Sequence, residues 1–274
     1  MAWTAADRRR YAPAVQDMVR AGMLVRLART MDAIDPQPRV GRERVWSALI
    51  MLQALWHLAR DGCTWRRLPG MFPPHTSVWS RLHRWQELAV LDRALAVVVV
   101  CLRLARGRKR RPTAAIIDTQ SVRTGPQRGP RGFDAGKKVK GRKRVLLVDS
   151  AGDPLGVRVV PADVQDRDAL RALAPDLAAH ASLLLAWLDR AFAGGGPRAF
   201  LDGHGIAAEI VGIKRREGFQ LEPRRWKAEQ TFGCLQRYRR LRVDDEMSCE
   251  SSRSMTMLAA LFMSAMRLER LIAA

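Results

Sequence analysis

Apolar residues recur at helical spacing through the first hundred positions of the chain. Residues 44–60 form a long apolar-rich stretch that predicts a helix, followed by the short segment Cys63-Thr64-Trp65-Arg66-Arg67-Leu68-Pro69. The run Gly70-Met71-Phe72-Pro73-Pro74 predicts a turn, because paired prolines break a helix. A second helix is expected to start with Thr76 or Ser77 as its cap. It places Val78, Leu82 and Trp85 on one face, with Arg81 and Arg84 off that face. From about residue 112 the pattern changes to strands alternating with helices. The run Ala114-Ala115-Ile116-Ile117 predicts a strand ending at Asp118. Residues 145–149 and 155–160 read as a hairpin around Ser150-Ala151-Gly152-Asp153-Pro154. A helix over 166–179, a strand over 183–189 and a turn at Gly194-Gly195-Gly196-Pro197 follow. Beyond them the pattern predicts a strand over 206–213 and helices over 226–238 and 254–272.

Charge changes this picture. The 274 residues carry a formal net charge of +21, and 47% of them are hydrophobic, enough for a sizeable core. Such a balance calls for a polyanionic partner, most simply DNA or RNA. It is concentrated: from Arg103 to Arg144 there are fifteen Lys or Arg and two acids, Asp118 and Asp134. Helix, turn and basic helix in the N-terminal part is then the outline of a helix-turn-helix reader, and equally of two core helices joined by a proline turn. The four cysteines, Cys63, Cys101, Cys234 and Cys249, show no metal-ligand spacing and read as free buried thiols of a reducing compartment. His83 and His204 read as surface or packing residues. The N-terminus has no apolar core of a secretory signal, and no apolar run reaches the length of a membrane span, so a cytosolic protein is expected.

Three acids then stand out: Asp118 and Asp189, each closing an apolar run, and Glu229, inside an Arg-rich amphipathic stretch. A carboxylate at the end of a buried strand is costly unless something pairs with it. In so basic a chain a divalent metal held against a phosphate would do so, since Mg²⁺ needs few protein ligands. Asp149 also ends a strand, but a tight hairpin turn accounts for it. Asp202, in Leu201-Asp202-Gly203, is a rival for the second ligand, with a turn as its other explanation.

The segments Ile116-Ile117-Asp118-Thr119-Gln120-Ser121-Val122 and Gly129-Pro130-Arg131-Gly132-Phe133-Asp134-Ala135-Gly136-Lys137-Lys138-Val139-Lys140-Gly141-Arg142-Lys143-Arg144 closely resemble bacterial DDE-type insertion-sequence transposases of the insertion sequence five family. So do Ala162-Asp163-Val164-Gln165-Asp166-Arg167-Asp168, Pro223-Arg224-Arg225-Trp226 with Glu229, and the N-terminal Gly62–Pro69 block, all in the family's order. The resemblance implies an α/β (α+β) fold: a ribonuclease H-like mixed sheet flanked by helices, over residues 106–274. An all-helical DNA-binding region, residues 1–105, precedes it. It implies Asp118, Asp189 and Glu229 as the catalytic, metal-holding acids, with two Mg²⁺ ions for which Mn²⁺ can substitute. The partners it implies are double-stranded DNA, as terminal inverted repeats and target, and further copies of the chain, as a dimer or higher on DNA. It also implies a place at the bacterial nucleoid and no membrane. Arg81, Arg84, Arg123, Arg128, Arg131, Lys137, Lys138, Arg142, Lys143, Arg144, Arg224 and Arg225 are the candidate DNA contacts.

The chain departs from the family at two places. It reads Asp189-Arg190-Ala191-Phe192 where the family usually has Asp-Gly-Gly-Tyr. Glu222 and Gln236 stand where a Tyr before and a basic residue after the third acid are common. A transposase remnant that only binds DNA, and a ribonuclease H-like nuclease without strand transfer, are the rival expectations. Intact acids favour an enzyme over the first, and a separate helical reader favours transposition over the second.

Overall fold

The computed structural model describes residues 22–37, 43–211 and 226–273. Four helices come first: α1 (Met23–Ile34), α2 (Ala48–Asp61), α3 (His75–Glu87) and α4 (Val90–Ala105). Helix α2 starts at Ala48 rather than near Arg44 because the Ser47 hydroxyl caps it, accepting the Ile50 N–H at 3.4 Å. It stops at Gly62, which adopts φ +70°. A 3₁₀ turn (Trp65–Arg67) and the expected proline turn lead into α3. That helix begins at His75, earlier than a Thr76 or Ser77 cap requires, because the Pro74 carbonyl already accepts the Ser77 and Val78 N–H groups. Val78, Leu82 and Trp85 are buried on one face, as the spacing predicts.

The sheet contains β1 (Ala114–Arg123), β2 (Gly132–Asp134), β3 (Val139–Asp149), β4 (Pro154–Pro161), β5 (Leu185–Leu188) and β6 (Ala207–Ile210). Strand β3 runs antiparallel to β1 on one side and to β2 and β4 on the other, while β1, β5 and β6 are mutually parallel. A three-stranded meander continued by parallel strands through helical crossovers is the mixed, ribonuclease H-like sheet the resemblance implies. Helices flank it: α5 (Asp166–Ala169), α6 (Ala174–Ala179), α7 (Gly195–Asp202), α8 (Trp226–Leu235) and α9 (Cys249–Ala273).

Several boundaries differ from the sequence pattern. Strand β1 does not end at Asp118; β3 stays paired with it as far as Arg123. The expected helix over 166–179 is split by a 3₁₀ stretch, Leu170–Leu173, ahead of Pro175. The glycine run at 194–197 opens α7 instead of forming only a turn, and α8 stops at Leu235. Strand β6 covers only Ala207–Ile210, and residues 212–213 lie outside the described residues.

Helix α9 joins the two halves. Its start lies upstream of residue 254 because Ser248 and Ser251 bond reciprocally, side chain to backbone N–H, at 3.0 and 3.1 Å. Every residue from Ser252 to Ala265 is buried, so this stretch has no solvent face. One side packs on β4 and the other on α4, and the helix also touches α1, α2 and α3. A single apolar cluster consequently runs from Met23 through the sheet to Ala265. The expected frontier at 105/106 separates helices from sheet in chain order, but both halves contribute to one core. No helix among the described residues is long and apolar enough to cross a membrane.

Candidate active site

Two aspartates meet at one edge of the sheet. Strands β1 and β5 pair in parallel as Ala114 with Leu185, Ala115 with Ala186 and Ile116 with Trp187. Asp118 and Asp189 each lie two residues further on, level with one another where the parallel pairing has ended. Adjacent strand ends of this kind open a crevice in an α/β sheet. Asp118 is buried, and its Oδ1 accepts the Thr119 N–H at 2.8 Å. Asp189 is half-buried and caps the 3₁₀ turn Arg190–Phe192, its Oδ1 accepting the Ala191 N–H at 2.9 Å. The unusual Arg190 beside it is exposed.

Glu229 comes from a different element. Helix α8 packs on β1 and β3 through a face that buries Ala228, Thr231, Phe232 and Leu235, and Glu229 stands on its exposed side. Among the described residues no three His, Cys, Asp or Glu side chains form a group that could hold a metal. The donor chemistry of the three acids fits a hard divalent cation, which takes oxygen ligands and completes its shell with water and phosphate oxygens. Asp118 and Asp189 are the pair the sheet itself aligns. Asp202, the rival second ligand, is exposed at the end of α7, where its carbonyl accepts the Gly205 N–H in a turn.

The candidate DNA contacts divide sharply. Arg123, Arg128, Arg131, Lys137 and Lys138 are exposed. Lys137 reaches toward the acids: its Nζ is 3.3 Å from the Thr119 carbonyl oxygen and 3.4 Å from the Thr119 hydroxyl, next door to Asp118. Its backbone N–H is anchored by Asp134 Oδ1 at 3.0 Å.

Arg142, Lys143 and Arg144, in contrast, are buried inside β3, which corrects their assignment to a phosphate-facing surface. Arg142 donates to the Pro130 and Glu246 carbonyls and to Asp244 Oδ1, and Lys143 pairs with Asp166 at 2.6 Å. Arg144 donates to the Leu241 carbonyl at 3.1 Å. Burial pushes its guanidinium down to about 10, which still leaves it charged at neutral pH. Arg81 is also corrected: it is buried, bonded to the Trp46 carbonyl, with its guanidinium 5.8 Å from the Trp85 ring. Arg84 is half-exposed but engaged with Asp35 at 2.8 Å. Arg224 and Arg225 lie outside the described residues.

The sequence reading missed a second ionic centre. Asp149 and Asp153, both fully buried in the β3–β4 turn, are held by Arg103 and Arg108 and by Arg106 and Arg267 respectively. The turn explanation of Asp149 holds, since it accepts the Ala151 and Asp153 N–H groups, but its arginine partners had no local signal. Part of the basic run between 103 and 144 is therefore structural. The cysteines are free, but not uniformly buried as expected: Cys101 is exposed and the other three are half-buried.

A family model described as a transposase DDE domain matches residues 109–264. The chain belongs to the DDE transposases. The match takes in Asp118, Asp189 and Glu229, and the domains of this family work with divalent metal ions. Residues 25–95 match a second model, described as "Putative transposase of IS4/5 family", in line with the insertion-sequence resemblance. Among curated proteins, the transposase is 43% identical over 49 residues to the uncharacterized protein y4sN of Sinorhizobium fredii. That stretch is 18% of this chain and 39% of the relative, so the match spans well under half of the relative's length. No solved structure matches the chain.

Proposed function

We propose that this transposase binds the terminal inverted repeats of its own insertion sequence and carries out Mg²⁺-dependent strand cleavage and strand transfer. The observation that carries this is the alignment of Asp118 with Asp189 on adjacent parallel strands inside a matched DDE domain. In the proposed reaction a water oxygen attacks a backbone phosphorus in line, and the bond to the 3′ oxygen breaks, leaving a 3′-hydroxyl and a 5′-phosphate. The 3′-hydroxyl then attacks a phosphorus of target DNA, releasing the target's own 3′ oxygen.

Asp118, Asp189 and Glu229 would hold the cations, which when bound activate the attacking oxygen and stabilise the leaving one. The chain's own part is placement. Asp118 is fixed by the sheet and by its bond to Thr119, Asp189 by its role as a turn cap, and Glu229 by the packing of α8. Lys137 would take a phosphate oxygen beside Asp118, and Arg123, Arg128, Arg131 and Lys138 would track the backbone. The helices of residues 1–105 would supply end-specific binding, and a second copy of the chain would hold the other end.

A labelled duplex ending in the element's repeat tests this directly. Cleavage at the repeat end is expected with Mg²⁺ or Mn²⁺ and none with EDTA. Salt-sensitive binding without cleavage in either metal would show a binding-only remnant instead. Lys137→Ala is expected to weaken binding to all sequences alike and to reduce the salt slope by about one. Fluorescence anisotropy across a salt series checks this, and an unchanged slope would remove Lys137 from the phosphate contacts.

A further inference from the structure

The β3–β4 turn carries more connections than a hairpin needs. Gly152 adopts φ +81°, and a Cβ there would stand 3.1 Å from the Lys227 carbonyl oxygen and 3.2 Å from the Thr231 hydroxyl, so α8 rests directly on the turn's backbone. The Gly152 carbonyl accepts two bonds, from Thr231 Oγ1 at 2.8 Å and from Arg267 Nη1 at 2.9 Å. Thr231 is fully buried, and its hydroxyl also lies 2.9 Å from the Lys227 carbonyl one turn back. The turn is itself immobilised by Arg103, Arg106 and Arg108 at and after the end of α4, and by Arg267 of α9, through Asp149 and Asp153.

Lys227 and Thr231 are four residues apart and share a helix face; Glu229, midway between them, lies on the opposite one. Contact between the first face and Gly152 therefore sets both the rotation of α8 about its axis and its position along it. Those two quantities decide where the Glu229 carboxylate is aimed.

We propose that Thr231, bonded to the Gly152 carbonyl, is a positioning residue that aims Glu229 at the metal-binding edge of the sheet, with the arginines of 103–108 holding the turn it bears on. This rests on Glu229 being the third acid. Thr231 touches neither DNA nor metal in this arrangement; it acts through the helix. Loss of a residue that orients a metal-holding group typically weakens metal affinity by about ten- to a hundredfold.

The test uses the full chain bound to an uncleaved repeat-end duplex. Mn²⁺ binding is followed by electron paramagnetic resonance, alongside cleavage, DNA affinity and thermal midpoint. Thr231→Val keeps the volume and leaves the Gly152 carbonyl bonded to Arg267, so folding is expected to survive. The half-saturating Mn²⁺ concentration is expected to rise by about tenfold with DNA affinity unchanged. Thr231→Ser, which keeps the hydroxyl, is expected to bind Mn²⁺ as the parent does. Glu229→Gln serves as the reference. Should Glu229→Gln weaken Mn²⁺ binding while Thr231→Val does not, the positioning role is overturned and Glu229 keeps its place. Should Val and Ser weaken it equally, the hydroxyl is not the determinant and the proposal falls. Should Glu229→Gln leave Mn²⁺ binding and cleavage intact, Glu229 is not a ligand and both readings fail.

Discussion

Asp118→Asn is expected to eliminate repeat-end cleavage while leaving DNA binding in place. The substitution keeps the shape and the acceptor oxygen that bonds the Thr119 N–H, so the strand has no reason to distort. What it removes is the negative charge that a hard cation requires. Metal assistance at a phosphoryl centre contributes several kcal/mol of charge stabilisation. At 1.36 kcal/mol per decade, the rate should fall by about a thousandfold or more. Asp189→Asn should behave alike, because the register of β1 and β5 puts the two side by side. Cleavage under single-turnover conditions, with anisotropy on the same duplex, separates chemistry from binding. Residual cleavage within a few-fold of the parent would remove Asp118 from the site. A parallel collapse in binding would show that the aspartate supports the fold instead.

The largest stability effect is expected at Asp244. Its carboxylate accepts Arg142 Nη1 at 3.1 Å, the Glu246 N–H at 3.1 Å and the Ser252 hydroxyl at 2.5 Å, and both members of the ion pair are almost completely buried. Its backbone adds to this: the Asp244 N–H donates to the Arg123 carbonyl at 2.8 Å, and its carbonyl accepts the Gly125 N–H at 2.9 Å. Asp244→Ala leaves the Arg142 guanidinium charged and uncompensated inside the sheet, which costs about 3–5 kcal/mol. For a chain of this size that is a fall of about 10 °C in thermal midpoint. Arg142→Met combined with Asp244→Ala should recover part of the loss, since replacing both charges removes the orphan rather than creating one. Calorimetry of the two variants checks both statements. A midpoint for Asp244→Ala equal to that of the parent would show the pair to be energetically neutral.

The catalytic pair was legible because its signal is local. Ile116 and Ile117 announce a buried strand, and an acid directly after them is conspicuous in the sequence itself. The same holds for the β3–β4 hairpin and for the Val78, Leu82 and Trp85 face of α3. The buried arginines were not legible. Lys-Gly-Arg-Lys-Arg, residues 140–144, has the composition of a solvated basic run, and only the folded chain brings Asp244, Glu246 and Asp166 into contact with it. Arg103, Arg106 and Arg108 misled in the same way, because Asp149 and Asp153 lie some forty residues downstream. Asp118 was placed at a strand end because apolar character stops there. The strand continues because β3 supplies backbone partners irrespective of side-chain polarity. A pattern of side chains reports on burial, and it is silent about which distant charge will neutralise which.

The all-round burial of α9 has a consequence for how this transposase is made. The helices of the first hundred residues and the sheet both leave the ribosome before residues 252–265 exist, yet both need that stretch to close their apolar surfaces. Neither can mature as a unit during synthesis, in contrast with chains whose N-terminal domains fold first. The nascent protein must carry open hydrophobic surface until α9 arrives. A message broken before codon 249 would then leave an aggregation-prone fragment, and no working DNA-binding piece to compete with intact copies for the element's ends.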